Sequence, residues 1–116
     1  MRIGFMVRTG PYSFQNVDTV YELVKAALNK GYKCSVFMYE DGVLNMHKGI
    51  KSPGERNIAE HMKELVTKGV EIAACGNCAK FRGLGKDSII DGTKLAGMAV
   101  LTDMVDKSDR FVTFGF

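Results

Sequence analysis

Val70-Glu71-Ile72-Ala73-Ala74-Cys75-Gly76-Asn77-Cys78 carries an apolar strand, Val70 to Ala74, straight into what its composition predicts is the first turn of a helix. A strand that runs into a helix is half of a β-α-β unit, and the same alternation extends in both directions along the chain. Upstream, Lys33 to Tyr39 has the β-branched and aromatic content of a second strand and breaks at Glu40-Asp41-Gly42. Before it, Val17, Val20, Tyr21, Val24, Ala27 and Leu28 recur at helical spacing, with Asn16 as the candidate cap and Gly31 as the stop. Arg2 to Val7 supplies the first strand, and Thr9-Gly10-Pro11-Tyr12-Ser13 the turn-rich loop that follows it.

Between the second and third strands, Val43 to Lys51 reads as a loop or short helical segment carrying His47, mobile enough to cover a site. Ser52-Pro53-Gly54-Glu55 has the form of a capping box with proline at the first helical position. It is expected to open a helix bearing Ile58, Met62, Leu65 and Val66 on one face and ending at Gly69. Downstream of the cysteines, Gly83-Leu84-Gly85 ends a short helix. A fourth strand is expected near Lys94 to Met98, then a helix through Leu101, Met104 and Val105, and a last strand from Arg110 to Phe116. The prediction is one α/β domain over residues 1–116, with helices flanking a mainly parallel sheet of five strands in three layers.

With 46% hydrophobic and 25% charged residues, the 116-residue chain can bury a core without disulfide staples. Three cysteines would leave one unpaired in a disulfide framework, so free thiols in a reducing, cytoplasmic setting are expected. The opening Met1 to Val7 run is too short for a signal-peptide core, and no apolar run is long enough to span a membrane. The net charge of +3 comes from 16 basic and 13 acidic residues spread along the chain, which argues against direct nucleic-acid binding. The seven methionines fall mostly on apolar stripes and read as core filler.

Thr9 to Ser13, Glu40 to Gly42 and Cys75 to Cys78 each follow the carboxyl end of a predicted strand, the edge at which open α/β sheets bind ligands. Cys75 and Cys78 are the candidate catalytic residues, because free N–H groups at a helix start favour a thiolate, the nucleophilic form. Lys80, Arg82 and Lys86 add positive charge nearby, while Cys34, inside the second strand, reads as buried and inert. Thr9, Tyr12 and the Gly76 backbone are candidate contacts for an anionic sulfur species. Asp41 either tunes the thiol or caps a turn.

Three chemistries use two cysteines at this spacing. A structural zinc site would have to draw further ligands from Cys34, His47 and His61, which the predicted elements place poorly, so no metal is expected. A thioredoxin-like exchanger fits locally, but both prolines, Pro11 and Pro53, precede the cysteines, leaving no later proline to face the dithiol. A persulfide carrier needs only an activated thiol, an enclosed pocket and a cover, with no cofactor. In that chemistry Cys78 can serve as a resolving thiol that releases sulfide by forming a disulfide. A non-catalytic assembly subunit, with contacts made by the apolar Phe111, Phe114 and Phe116, is the alternative from another class.

Val36-Phe37-Met38-Tyr39-Glu40-Asp41-Gly42-Val43 and Cys75-Gly76-Asn77-Cys78-Ala79-Lys80-Phe81-Arg82-Gly83-Leu84 together resemble the DsrE/DsrF-like sulfur-relay family. The Gly10-Pro11-Tyr12 loop, the apolar C-terminal strand and the single-domain length fit it too. The resemblance implies a five-stranded parallel sheet, assembly into trimers or hexamers or into hetero-oligomers of related subunits, and sulfur passed from a donor protein to an acceptor protein. Cys75 matches the family's sulfur-accepting cysteine, and Cys78 a second cysteine found in some members.

Overall fold

A computed structural model describes residues 1–116. The chain runs β1 (Arg2–Val7), α1 (Asn16–Asn29), β2 (Lys33–Met38), a 3-10 helix (Glu40–Met46), α2 (Ile58–Thr67), β3 (Glu71–Cys75), α3 (Gly76–Phe81), a 3-10 turn (Lys86–Ser88), β4 (Lys94–Ala96), α4 (Met98–Lys107) and β5 (Arg110–Phe114). The five strands form one sheet in the order β4-β3-β2-β1-β5, and every neighbouring pair is parallel.

That order dictates the layers. The crossovers β1-α1-β2 and β2-α2-β3 step in one direction across the sheet, so their right-handedness puts α1 and α2 on the same face, where they pack together. The connection β4-α4-β5 steps back past β1, and the same handedness carries α4 to the opposite face. Covering on both faces explains why β2, the central strand, is buried from Cys34 to Met38 instead of alternating. Cys34 sits in that run with 4% of its surface exposed.

The core joins Phe5 and Val7 of β1, Val36, Phe37 and Met38 of β2 and Ile72 to Ala74 of β3 to Val17, Val20 and Val24 of α1 and Ile58, Met62 and Leu65 of α2. The α1–α2 seam is closed by Tyr21 stacked on His61 at 4.0 Å, with the Tyr21 hydroxyl donating to Glu64 at 2.6 Å. On the α4 face Gly4 makes room for the Phe111 ring, since a Cβ there would lie 2.5 Å from it.

Some boundaries differ from those expected. Asn16 is the first residue of α1, and Gln15 precedes it as the cap without a side-chain bond. The Asn16 amide instead donates to Thr9 Oγ1 and the Gly115 carbonyl, tying the β1 loop to the C-terminal strand. Ser52-Pro53-Gly54-Glu55 closes a local turn in which Ser52 Oγ donates to the Glu55 carbonyl. The cap of α2 is Asn57, which accepts from the Glu60 N–H at 3.1 Å and stabilises the helix by about 1 kcal/mol. Gly31 and Gly69 do end α1 and α2, each at positive φ. The fourth and fifth strands stop at Ala96 and Phe114, short of Met98 and Phe116.

The expected Val43 to Lys51 loop or short helical segment is helical as far as Met46, the end of a packed 3-10 helix, and Lys48, Gly49 and Lys51 beyond it are exposed. Gly42, Val43, Asn45 and Met46 are buried in that helix. The Asn45 amide donates to the Thr9 and Gly42 carbonyls at 3.0 and 2.9 Å, so this asparagine serves the backbone and not the solvent.

Candidate functional site

Because β1, β2 and β3 are adjacent and parallel, the loops that follow them lie side by side at one edge of the sheet. Cys75 is both the last residue of β3 and the cap of α3. Its φ of −63° and ψ of 119° are extended, and its Sγ accepts from the Cys78 N–H at 3.4 Å. A thiol sulfur thus occupies the place that a serine or aspartate oxygen takes in an ordinary cap. Cys78 follows in the first turn of α3, and both cysteines are nearly enclosed, at 6% and 9% exposed. All three cysteines are free thiols.

The residues after β2 form the wall over these thiols. Arg82, just past the end of α3, holds Asp41 through both Nε and Nη2, at 2.8 and 2.7 Å, and donates from Nη1 to the Cys78 carbonyl at 2.9 Å. One guanidinium therefore fastens the 3-10 helix to the cysteine helix. Both side chains keep solvent contact, so the pair contributes less than about 1 kcal/mol to stability and acts chiefly by position. Next to it, Glu40 takes a left-handed conformation at φ 52° and pairs with Arg8 from the end of β1. In register, Val7 faces Met38, so Arg8 and Glu40 emerge from neighbouring strand ends.

Burial pushes the Cys78 thiol above its ordinary pKa, and its hydrogen bond with Cys75 acts in the same direction; backbone hydrogen bonding from Glu40 and the charge of Arg82 oppose the rise. Cys34 is also raised, by burial foremost. A raised pKa leaves less thiolate at a given pH. In the native protein both cysteines should therefore alkylate slowly with iodoacetamide at neutral pH, and Cys78 should speed up as the pH is made alkaline. Peptide mapping of the alkylated protein checks this, and Cys34 labelling as fast as in urea would contradict it.

Gly76 follows Cys75 directly and Asp41 is joined to the cysteine helix through Arg82, while Thr9 and Tyr12 are committed elsewhere. Gly76 lines a groove of about 460 Å³ with Asn77, Lys80, Leu84, Lys86 and Leu95, which gives the start of α3 an open side. The Thr9 hydroxyl accepts from Asn16, its carbonyl from Asn45, and the residue is 1% exposed. The Tyr12 hydroxyl donates to the Arg56 carbonyl at 2.7 Å and meets the Ile58 N–H at the start of α2. Arg8 and its pairing with Glu40 were not foreseen from the sequence, although Glu40 belonged to one of the three loops expected at this edge. The signal for them lay in the strand order, which makes the residues after β1 and β2 neighbours.

The histidines are engaged apart from the thiols: His47 Nδ1 accepts from the Gly49 N–H at 2.8 Å, and His61 stacks on Tyr21. No group of three or more His, Cys, Asp or Glu side chains is arranged to hold a metal ion. No helix is long and apolar enough to cross a membrane.

The model of the DsrE/DsrF-like family matches residues 1–114. The chain belongs to that family. It is 32% identical over 112 residues to an uncharacterised protein of Methanopyrus kandleri, covering 97% of this chain and 93% of the relative. It is 31% identical to a protein of Allochromatium vinosum named as a sulfurtransferase, DsrE, with 99% of each chain covered. A Vibrio vulnificus protein named as a sulfurtransferase TusD homolog is 27% identical over 98% of both chains. Among solved structures, the YchN protein from E. coli superposes with a TM-score of 0.91 over 98% of this chain and 99% of its own. At 22% identity that likeness shows the fold.

Proposed function

We propose that this chain is a sulfur carrier that accepts a sulfur atom on Cys75 as a persulfide and passes it to a thiol of another protein. The observation that carries the reading is the Cys75 cap itself: a free, nearly enclosed thiol at a strand end, with its sulfur held by the Cys78 N–H beneath the Arg82–Asp41 clasp. Enclosure suits a persulfide, which soluble thiols reduce on contact. Membership in a family with relatives named as sulfurtransferases supports the same chemistry.

In this reading a sulfur donor reaches Cys75 through the groove beside Gly76 and Asn77. The thiolate attacks the donor's outer sulfur, and the donor's thiol leaves. Transfer onward is the same step with an acceptor thiolate attacking the outer sulfur of Cys75-S-SH. Arg82 and Asp41 hold the wall in place, and the groove, lined by Gly76, Lys80 and Lys86, gives an anionic sulfur a positively charged approach. A reducing, cytoplasmic compartment suits the three free thiols. Exposure of the parent protein to inorganic polysulfide, followed by intact-protein mass spectrometry, should show the gain of one sulfur atom; no gain from polysulfide or from a cysteine desulfurase charged with cysteine would reject the reading.

The partners are a sulfur donor protein and an acceptor protein, and the working form is a trimer or hexamer of this chain or an assembly with related subunits. Met98, Val105 and Val112 lie on α4 and β5 with 44, 46 and 41% of their surfaces exposed, apolar area that association would cover. Sedimentation of the purified chain should give a species of three or six copies, and a monomer at all concentrations would leave only the mixed assembly.

A further inference from the structure

We propose that Cys78 discharges the Cys75 persulfide within the chain, releasing hydrosulfide and leaving a Cys75–Cys78 disulfide. The inference rests on the carrier reading and adds a second activity to the same site: reductive release of sulfur that no acceptor has taken.

The geometry leaves Cys75 one protein thiol to meet. The Cys78 N–H is bonded to Cys75 Sγ at 3.4 Å, which sets the two residues on the one turn where β3 passes into α3. Both side chains are free and less than a tenth exposed, so a sulfur placed on Cys75 is held where Cys78 reaches it more easily than a bulk thiol does. Cys34 cannot take the role. It pairs in register with Ile3 near the start of β1, at the other end of the sheet from Cys75.

The step balances without an outside oxidant. Cys78 loses its proton to solvent, and its thiolate attacks Cys75 Sγ. The bond between Cys75 Sγ and the outer sulfur breaks, and the electron pair leaves with that sulfur as hydrosulfide. The outer sulfur is reduced to sulfide as the Cys78 sulfur is oxidised to the disulfide level, which Cys75 Sγ already holds in the persulfide. A dithiol reductant then restores the free thiols.

A carrier with this device must not discharge before delivery, and the surroundings of Cys78 slow the step. Burial keeps Cys78 protonated at neutral pH; of the groups that oppose this, the Arg82 guanidinium is already held by Asp41, and Glu40 acts through its backbone. Release should therefore quicken as the pH rises and Cys78 ionises.

The test loads the full chain with inorganic polysulfide, removes the excess without air and follows free sulfide and intact mass with no acceptor present. The parent should release its sulfur and end two hydrogens lighter than the reduced protein, faster at alkaline than at neutral pH. Cys78→Ser, and Cys78→Ala as a second variant of similar bulk, should keep the added sulfur at both. A parent that holds its sulfur as long as both variants would overturn the discharge while leaving the carrier reading intact. Failure of parent and variants alike to gain sulfur would overturn both.

Discussion

Cys75→Ser is expected to lose sulfur loading completely while keeping its fold. The serine oxygen takes over the cap of α3, accepting from the Cys78 N–H as the sulfur does now, and serine is among the preferred residues for that position. The change should therefore alter stability by no more than about 1 kcal/mol. Loading and folding are thus separable. Denaturant unfolding of the variant should nearly match the parent, and mass spectrometry after polysulfide should show no added sulfur on the Cys75 peptide. A variant that still gained sulfur at the parent's level would remove Cys75 from the mechanism.

Gly42→Ala should have the largest effect on stability among substitutions around the site. A Cβ at Gly42 would sit 2.0 Å from the Val7 carbonyl oxygen and 2.8 Å from its carbon, both backbone atoms that no change of rotamer can move. The 3-10 helix would have to lift, straining the Gly42 N–H bond to the Tyr39 carbonyl and the Asn45 bond to the Gly42 carbonyl. Overpacking of this kind costs about 3 kcal/mol, a large share of the ~5 to 15 kcal/mol that holds a domain together. Gly76→Ala provides the contrast. Its nearest neighbour, the Ala96 carbonyl oxygen, would lie at 3.6 Å, an ordinary contact, and alanine is the better helix former. Thermal unfolding of the two variants should separate them clearly, and a Gly42→Ala protein as stable as the parent would show that the wall over the thiols is not rigidly packed.

Much of the fold was legible because its strands are buried on both faces. Val36-Phe37-Met38 and Ile72-Ala73-Ala74 are continuous apolar runs that only a covered parallel sheet accommodates, and glycines at 31 and 69 mark where helices stop. The helix starts were less legible. Ser52 to Glu55 satisfies the capping pattern locally, yet the actual cap, Asn57, is chosen by where Ile58 and Met62 must enter the core.

In the expected Val43 to Lys51 loop or short helical segment, the helical alternative holds as far as Met46, and the burial of that helix was hidden for a related reason. Gly42 and Asn45 have loop composition, but both are used inward: the missing side chain against Val7 and the amide on the Thr9 carbonyl. Polar composition signals mobility only when the polar groups face water. The two cysteines were legible because chemistry and position coincide within four residues. The Arg82–Asp41 and Arg8–Glu40 pairs, 41 and 32 residues apart, depend on strand order, which periodicity does not encode. Thr9 and Tyr12 carried the right functional groups in the right loop, but the fold had already engaged them.

The most direct test of the account is to locate the sulfur. The parent protein is loaded with inorganic polysulfide at neutral pH, alkylated at once to trap persulfides, digested, and mapped by mass spectrometry. An extra sulfur is expected on Cys75 and none on Cys34. Added sulfur on Cys34, or on Cys78 with Cys75 bare, would contradict the account.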